Sequence, residues 1–345
     1  MKVTVLAGGV GGAKFLRGLR TLDGLEISVV ANTGDDLWLT GLRVCPDLDS
    51  IMYALGGIND TERGWGRAGE TERVSAELTA YGVGWPWFTL GDLDLGTHIA
   101  RSSMLRDGAT LTEATARLTA RWNLGVRLLP ATDDEVETHV EIADPVSGDV
   151  TLIHFEEWWV KHRARLDARR FVQVGVEAAR ATDAVLTAIS SADVVLLAHS
   201  NPVVSIGTIL GLPGIVDALR STTAPVVGVS PIIGGSAVRG MADACLRAIG
   251  VETTAEAVAL HYRAQGTPTH PRRPLGAGGG TANRPGGEPG AWLDGWVLDS
   301  ADARSVPRLE AAGIRSEAIP LWMTDDAATA TIAASALALA MRTDS

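Results

Sequence analysis

The stretch VTVLAGGVGGAKFLRGLR, residues 3–20, decides the fold of this chain. A β-rich apolar run enters four closely spaced glycines and then a helical pattern that carries a lysine. Such a turn brings backbone N–H groups and the amino end of a helix close to an anion. We therefore predict a phosphate-binding loop with a helix behind it. The candidate ligand-binding residues are Gly8, Gly9, Gly11, Gly12 and Lys14.

The loop matches neither of the two common phosphate-binding motifs. Lys14 stands where the dinucleotide motif GxGxxG needs its third glycine. Ala13 and Phe15 flank that lysine, where the Walker motif needs glycine before it and serine or threonine after it. A tight turn without a ligand is the alternative interpretation. The lysine and the preceding strand favour ligand binding.

The same alternation of strand and helix recurs along the chain, with apolar runs at 26–32, 193–200 and 224–230. Strands that alternate with helices form parallel sheets with helices on both faces. The predicted fold class is α/β, a Rossmann-like parallel sheet with helices on both faces and a mostly helical insertion. Ligands of such sheets bind beyond the carboxyl ends of the strands.

Three parts of the chain follow from this pattern. We assign the Rossmann-like nucleotide-binding core to residues 1–50 and 185–345. Residues 51–184 form a helical insertion plus a hairpin, because VETHVEIADPVSGDVTLIHF (136–155) predicts two strands around a turn. Residues 266–290 are so rich in glycine, proline, threonine and arginine that they predict a flexible loop.

Composition excludes several classes of function. The 345 residues carry a formal net charge of -11 and a pI near 5.1, whereas proteins that bind duplex nucleic acid need surplus lysine and arginine. Cys45 and Cys245 are too few for a disulfide framework and lack zinc-site spacing. No run of about 18 apolar residues predicts a membrane span. We expect a cytoplasmic protein without a nucleic-acid or membrane partner.

Aspartates cluster after the second predicted strand, in the segments NTGDD (32–36) and CPDLDS (45–50). The four residues are Asp35, Asp36, Asp47 and Asp49. Beside a phosphate loop, these carboxylates would repel the ligand unless a cation lay between them. Mg²⁺ binds carboxylate and phosphate oxygens together, so the segment predicts a magnesium site. For Asp47, a helix cap is an equally good interpretation, whereas Asp49 is favoured as functional.

A third polar segment is WFTLGDLDLGTHIARSSMLRDG, residues 87–108. It places Asp92, Asp94, His98 and Arg101 on a loop and the helix that the loop opens. Asp94 and His98 are four residues apart, so they share one face of that helix. We interpret His98 as an orienting residue and not as a base, because a lone histidine is more often structural.

Two further loops follow apolar strands and offer hydroxyl, amide and backbone groups suited to a nucleotide. The first, SNPVVSIG, supplies Ser200, Asn201, Ser205 and Gly207. The second, SPIIGGSAV, supplies Ser230, Gly234 and Gly235. Glycine and proline could merely form turns here. Two such loops at equivalent strand ends favour ligand binding.

The ordered strings GGVGGAK, NTGDD, CPDLDS, LGDLDLGTH, SNPVVSIG and SPIIGGSAV resemble the 2-phospho-L-lactate transferase family of deazaflavin coenzyme F420 biosynthesis. The match spans nearly the whole chain. The resemblance implies a homodimer and an Mg²⁺-dependent transferase. Its substrates would be the deazaflavin Fo and a guanosine diphosphate-linked donor of a phosphorylated three-carbon acid, phosphoenolpyruvate or 2-phospholactate. The products would be a coenzyme F420-0 species and GMP.

The resemblance also implies roles for individual residues. Asp49 would contact Fo and bind Mg²⁺ or accept the hydroxyl proton, and Asp36 would be the second metal ligand and catalytic carboxylate. The Fo contacts would be Asp49, Thr89, Asp92, His98 and Arg101. The glycine loop with Lys14 would bind the phosphates of the donor, and the two later loops its guanosine. We expect Asp49 to serve the metal and not the core.

Two other classes of protein fit parts of the sequence. Regulators of the gluconeogenesis-factor type share the glycine-rich start and bind nucleotide sugars without turnover, but they are not expected to carry CPDLDS or LGDLDLGTH. A nicotinamide-dependent oxidoreductase is disfavoured by the missing third glycine. It is also disfavoured by Asn32, which stands where an acid would bind the ribose.

Overall fold

The fold was analysed in a computed structural model that describes residues 1–144, 147–238, 240–265 and 291–342. The strands of this part are β1 (Lys2–Ala7), β2 (Glu26–Ala31), β3 (Leu37–Leu39), β4 (Leu42–Val44), β5 (Arg127–Pro130), β6 (Glu137–Ala143), β7 (Val150–His154), β8 (Ala168–Val174), β9 (Val194–Leu197), β10 (Val226–Val229), β11 (Ile232–Ile233), β12 (Ser236–Ala237), β13 (Gly295–Asp299) and β14 (Arg315–Ile319). The flexible loop predicted at 266–290 lies outside the described residues.

The helices lie between these strands. They are α1 (Gly9–Leu19), α2 (Pro46–Gly56), α3 (Arg73–Ala80), α4 (Asp92–Arg106), α5 (Leu111–Thr119), α6 (Asp183–Ser190), α7 (Ile206–Gly211), α8 (Ile215–Ser221), α9 (Ala242–Ala248), α10 (Ala255–Ala264), α11 (Val306–Ala311) and α12 (Asp326–Met341). A π-helical turn covers Glu157–Lys161, and a 3₁₀ helix covers Ser300–Ser305. None of the described helices is long and apolar enough to cross a membrane.

The central sheet contains seven strands in the order β14-β13-β10-β9-β1-β2-β5. Every neighbouring pair is parallel. Counted along the chain, this is the doubly wound order 3-2-1-4-5-6 of Rossmann-like sheets with one strand added, so the fold class is confirmed. The strand order reverses between β1 and β9. Ligands of such sheets bind in the crevice at that reversal.

Helices cover both faces of this sheet because its strands alternate the direction of their apolar side chains. Val5 and Ala7 of β1 pack with Phe15 of α1 in one buried core. Leu6 packs with Ile209 of α7 on the other face. The central strands are therefore buried on both sides, as their nearly continuous apolar sequence predicts.

The segment 51–184 contains the predicted helices and hairpin and also contributes a strand to the central sheet. It contains α3, α4 and α5, as its helical pattern predicts, but it also supplies β5, which pairs with β2 at the edge of the central sheet. The predicted hairpin forms from β6 and β7, which are antiparallel. β8 joins β6 on its other side and makes a separate three-stranded sheet. β5 is not predicted by the apolar pattern, because it has only four residues.

Close packing of α1 on α12 leads to a stability prediction. A Cβ on Gly18 would lie 2.5 Å from Thr329 Cβ and 2.6 Å from the backbone nitrogen of Ala330. Gly18→Ala should therefore force the helices apart and cost about 1–3 kcal/mol, which lowers the melting temperature by several degrees. Gly96→Ala is the matched control, because Gly96 lies within α4 with open space around it. It should gain up to about 1 kcal/mol, and equal melting temperatures for both variants would contradict the prediction.

Candidate active site

The glycine loop and the loop after β9 meet at the reversal of strand order. Ser200 Oγ accepts a hydrogen bond from the Gly8 nitrogen at 3.0 Å and donates one to the Gly8 oxygen at 2.8 Å. Any Cβ on Gly11 would collide with the carbonyl oxygen of His199. Glycines are therefore required where these backbones cross, which is the close approach that the sequence predicts.

Lys14 lies on the exposed side of this contact, in the second turn of α1. Burial lowers the pKa of His199 to about 4, and the charge of Lys14 adds to this effect. His199 is therefore neutral at physiological pH. Lys14 makes no ion pair with any residue in the described part of the chain. Its charge remains available to an anion at the amino end of α1.

Asp47 lies against the glycine loop, and Asn32 joins it to Asp35. Asn32 Nδ2 donates to Asp47 Oδ2 at 2.9 Å and to Asp35 Oδ2 at 3.2 Å. Asp47 also accepts a hydrogen bond from the Gly9 backbone, and α2 begins at Pro46 after Cys45. Asp47 therefore lies inside the first turn of α2 and does not cap it, so the cap interpretation was wrong.

Burial raises the pKa values of several acids around this loop. It raises that of Asp47 to about 6 and that of Asp35 well above its usual range, with the charge of Asp47 adding to the shift at Asp35. Burial raises the pKa of Asp36 to about 7, although the guanidinium of Arg43, 3.7 Å from Asp36 Oδ2, opposes the rise. Asn32 and Arg43 therefore offset only part of the cost of burying these carboxylate charges.

Asp49 belongs to a second buried network that joins α2 to α4. Both its oxygens accept hydrogen bonds from Arg101, one of them at 3.0 Å, and His98 Nδ1 lies 3.6 Å from Asp49 Oδ2. His98 Nε2 lies 3.4 Å from Asp94, which accepts a hydrogen bond from Tyr53 at 2.6 Å. Asp94, His98 and Arg101 recur at helical spacing, so α4 presents them on one face.

The ion pair corrects the expectation that Asp49 serves a metal and not the core. Asp49 and Arg101 are only 4% and 1% exposed, so each compensates the other's buried charge. Burial would lower the pKa of Arg101, but the charge and hydrogen bonds of Asp49, together with Cys45 and Asp36, outweigh burial and raise it. A cation at Asp49 would have to share its two oxygens with Arg101.

Two carboxylate sets could hold a cation. Asp49, Asp94 and His98 offer ligand atoms within 4.8 Å of one another, but the guanidinium of Arg101 already supplies the positive charge there. Both oxygens of Asp36 and Oδ1 of Asp35 are buried without a hydrogen-bond partner. Unpaired buried oxygens are costly, and hard cations bind such oxygens. Among the described residues only the Asp49 set brings three ligand atoms this close, whereas Asp36 offers a cation two oxygens that make no hydrogen bond.

Asp92 and Thr89, two of the predicted Fo contacts, lie at the start of α4 and in the loop before it. Asp92 is accessible and accepts hydrogen bonds from the Thr71 hydroxyl and the Val74 nitrogen, so it holds the start of α3. Thr89 is half-buried in the loop before α4. The structure does not bring Asp92 into contact with the Asp49 network among the described residues.

The two later loops are built around turns. Asn201 Oδ1 accepts from the nitrogens of Val203 and Val204, which fixes the turn before α7. Ser205 and Gly207 follow it: Ser205 lies against Gly8, and a Cβ on Gly207 would lie 2.8 Å from the oxygen of Pro202. Of these residues, Ser200 and Ser205 touch the glycine loop.

The loop SPIIGGSAV forms a small hairpin from β11 and β12. Gly234 and Gly235 form its turn with φ values of 58° and 79°, which favour glycine. Ser230 Oγ is satisfied within the same loop by the nitrogen and oxygen of Ile232. Turn geometry explains these three residues, and their contact with a nucleotide stays a prediction.

The sequence analysis missed two buried titratable residues from the hairpin. Glu156 follows β7, and burial together with the charge of Asp47 raises its pKa to about 8. His154 ends β7, and burial lowers its pKa to about 4. The signal was present in the string IHFEE, where an apolar strand ends in a histidine and acids. Only the fold brings these residues beside the acids that follow β2.

Several known proteins are similar in sequence to this chain over nearly its whole length. A phosphoenolpyruvate transferase of Kitasatospora aureofaciens is 51% identical over 342 residues, which covers 99% of this chain and 98% of the relative. A protein of the same name from Thermobifida fusca is 52% identical over 352 residues and covers the same shares. Another from Mycobacterium avium is 48% identical over 360 residues and covers 99% of each chain.

Comparison with solved structures supports the fold alone. A member of the UPF0052 family from Bacillus halodurans has a TM-score of 0.60 at 16% sequence identity, over 97% of this chain and 98% of that one.

The family model described as 2-phospho-L-lactate transferase CofD matches residues 3–301. Because that match and the relatives cover nearly all of the described core, the chain belongs to the 2-phospho-L-lactate transferase CofD family.

Proposed function

We propose that this protein is a phosphoenolpyruvate transferase of coenzyme F420 biosynthesis. It transfers a phosphoenolpyruvyl group from a guanosine diphosphate-linked donor to the ribityl hydroxyl of Fo and releases GMP. The names of the relatives favour the enolpyruvyl group over the 2-phospholactyl group. The observation that carries the proposal is the contact between the glycine loop and buried carboxylates at the reversal of strand order.

The reaction needs positioning more than covalent chemistry. The ribityl oxygen forms a bond to the phosphorus that carries the three-carbon acid, and the bond from that phosphorus to the oxygen of GMP breaks. The hydroxyl proton passes to a carboxylate. Asp36 suits this step or metal binding, because its oxygens make no hydrogen bond, its ion pair with Arg43 is long at 3.7 Å, and its pKa is about 7.

The other buried groups hold the reacting parts in place. Asp36 would be a ligand of Mg²⁺ through its oxygens, which make no hydrogen bond, and the cation would supply charge neutralisation on the phosphoryl oxygens when bound. Backbone N–H groups of the glycine loop and Lys14 would bind the donor's phosphates. Asp49 keeps Arg101 beside these acids, so a cationic side chain stays at the acceptor side of the site.

Product analysis with purified protein tests the proposal. Fo, Mg²⁺ and the guanosine diphosphate-linked phosphoenolpyruvate donor should yield GMP and a product whose mass is that of Fo plus the phosphoenolpyruvyl group. The same assay with the phospholactate donor sets the preference between three-carbon acids. Stabilisation by a nucleotide sugar without any turnover would instead indicate a regulator of the gluconeogenesis-factor type. The homodimer stays a prediction from the resemblance, and light scattering of the same sample measures it.

A further inference from the structure

Asn32, the residue that follows β2, has four polar partners although it is 0% exposed. Its Oδ1 accepts a hydrogen bond from the Gly34 nitrogen at 3.0 Å. Its Nδ2 donates to Asp47 Oδ2 at 2.9 Å, to Asp35 Oδ2 at 3.2 Å and to the Val204 oxygen at 3.2 Å. These three oxygens share the two hydrogens of the amide, so neither hydrogen is left for a ligand.

The partners of Asn32 require an amide at this position. Its nitrogen faces three oxygens and its oxygen faces an N–H group, so the opposite orientation of the amide would set oxygen against oxygen. An ionised carboxylate has no hydrogen to donate to those oxygens. In dinucleotide-binding sheets an acid at this position binds the ribose. Here the buried amide joins three segments of the protein instead.

The segments that Asn32 joins include the two loops assigned to the donor. Asp47 accepts a hydrogen bond from the backbone of Gly9, in the glycine loop. Val204 lies in the loop after β9, and its nitrogen donates to Asn201 Oδ1 at 3.2 Å. Hydrogen bonds therefore lead from the glycine loop through Asp47 and Asn32 to the loop after β9. Breaking a buried hydrogen bond leaves its partner unsatisfied, so these contacts hold the two loops at a fixed separation.

We propose that Asn32 is a positioning residue that fixes the two nucleotide-binding loops relative to each other and so sets the affinity for the donor. This inference rests on the proposed function, which assigns the glycine loop to the donor's phosphates and the loop after β9 to its guanosine. Asn32 itself touches no part of the donor. Within the described part of the chain, its hydrogen bonds do not extend to Asp49 or Arg101, so the affinity for Fo should not depend on it.

Asn32→Asp tests the proposal with a side chain of nearly the same shape. The carboxylate cannot donate to Asp47 or to the Val204 oxygen, and it adds a negative charge beside Asp47. We expect the affinity for GDP to fall at least about tenfold, because buried hydrogen bonds to a charged group are lost. Affinity for Fo should stay within about threefold of the wild type, which also shows that the variant is folded.

Two double variants separate the hydrogen bond from the charge, because both carry the net charge of the wild type. In Asn32→Asp with Asp47→Asn, donor and acceptor are exchanged, and the new amide keeps an oxygen toward Gly9. This variant should bind GDP at least about threefold more tightly than Asn32→Asp. In Asn32→Asp with Asp35→Asn, the contact with Asp47 stays broken, so the affinity for GDP should remain as low as in Asn32→Asp.

Calorimetric titration with GDP and, separately, with Fo, each in the presence of Mg²⁺, measures these affinities. Equal recovery in the two double variants would assign the effect to charge alone and overturn the proposal. Unchanged GDP affinity in Asn32→Asp would overturn it too, and so would a parallel loss of GDP and Fo affinity, which indicates a general role in folding. In these cases the wild type still binds both ligands and the proposed function stands. A wild-type protein that binds neither Fo nor GDP would refute the proposed function and this inference with it.

Discussion

Asp49→Asn should lower turnover by at least about a hundredfold, which is the low end of the loss expected for a carboxylate in acid–base or charge-stabilising work. Asparagine keeps the size of the side chain but removes the charge that holds Arg101 in place. Arg101 then lies buried without its partner and is free to turn toward the other acids, including Asp36. Steady-state kinetics with saturating Mg²⁺ and Fo measure the loss.

The same substitution should destabilise the fold. Removing one partner of a buried ion pair costs about 3–5 kcal/mol, so the melting temperature should fall with the activity. The double variant Asp49→Asn with Arg101→Met is the control, because it removes both charges. It should recover most of the stability and none of the activity. Near-normal turnover in Asp49→Asn, or activity restored in the double variant, would contradict the role given to this pair.

Asp36→Asn should raise the stability of the fold and abolish its further stabilisation by Mg²⁺. Asp36 is fully buried and its oxygens make no hydrogen bond, and burial outweighs the attraction of Arg43, so replacing it removes an acid whose charge is only partly compensated. At pH 8 the variant should be more stable than the wild type by about 1–3 kcal/mol, since each pKa unit corresponds to about 1.4 kcal/mol. Stabilisation of the wild type by Mg²⁺ should disappear in the variant.

The direction of the pH dependence follows from the raised pKa. Between pH 4 and pH 7 the folded chain keeps a proton on Asp36 that the unfolded chain has released. The contribution of Asp36 to stability should therefore fall as the pH rises through this window, whereas His154 and His199, whose pKa values burial lowers to about 4, add stability over the same range. The difference in stability between the wild type and Asp36→Asn separates the contribution of Asp36 from these and from those of Asp47 and Glu156. Asp107→Asn at the exposed end of α4 is the control and should follow the wild type.

Chemical denaturation at several pH values, with and without Mg²⁺, provides these numbers. A wild-type protein whose stability relative to Asp36→Asn does not fall from pH 4 to pH 7 would contradict the raised pKa of Asp36. A variant that keeps the full magnesium response would show that the cation binds elsewhere, with the set around Asp49 as the remaining candidate.

Local pattern was enough to predict four of the seven strands of the central sheet. The strands β1, β2, β9 and β10 are continuous apolar runs, and such runs form buried parallel strands wherever helices separate them. The glycine loop followed from the same local argument, because only glycine allows the backbone approach seen at Gly11. The short strand β5 escaped because four residues carry too little periodicity.

The candidate site was predictable in part. Spacing placed Asp94, His98 and Arg101 on one helix face, and it placed Asp47 and Asp49 near the glycine loop. Spacing could not show that Arg101 reaches across to Asp49, since that contact spans 52 positions. It also could not give a role to His154 or Glu156, which the antiparallel sheet carries to the acids after β2.

The sequence by itself determined the parallel sheet, the phosphate-type loop and the family resemblance, because each depends on residues close together in the chain. Only the tertiary structure decided which carboxylates are paired and which are not. Charge on a buried group depends on neighbours brought from distant segments and on the water that they exclude. For that reason Asp36 and Asp49, thirteen positions apart in one acidic stretch, have different chemistry.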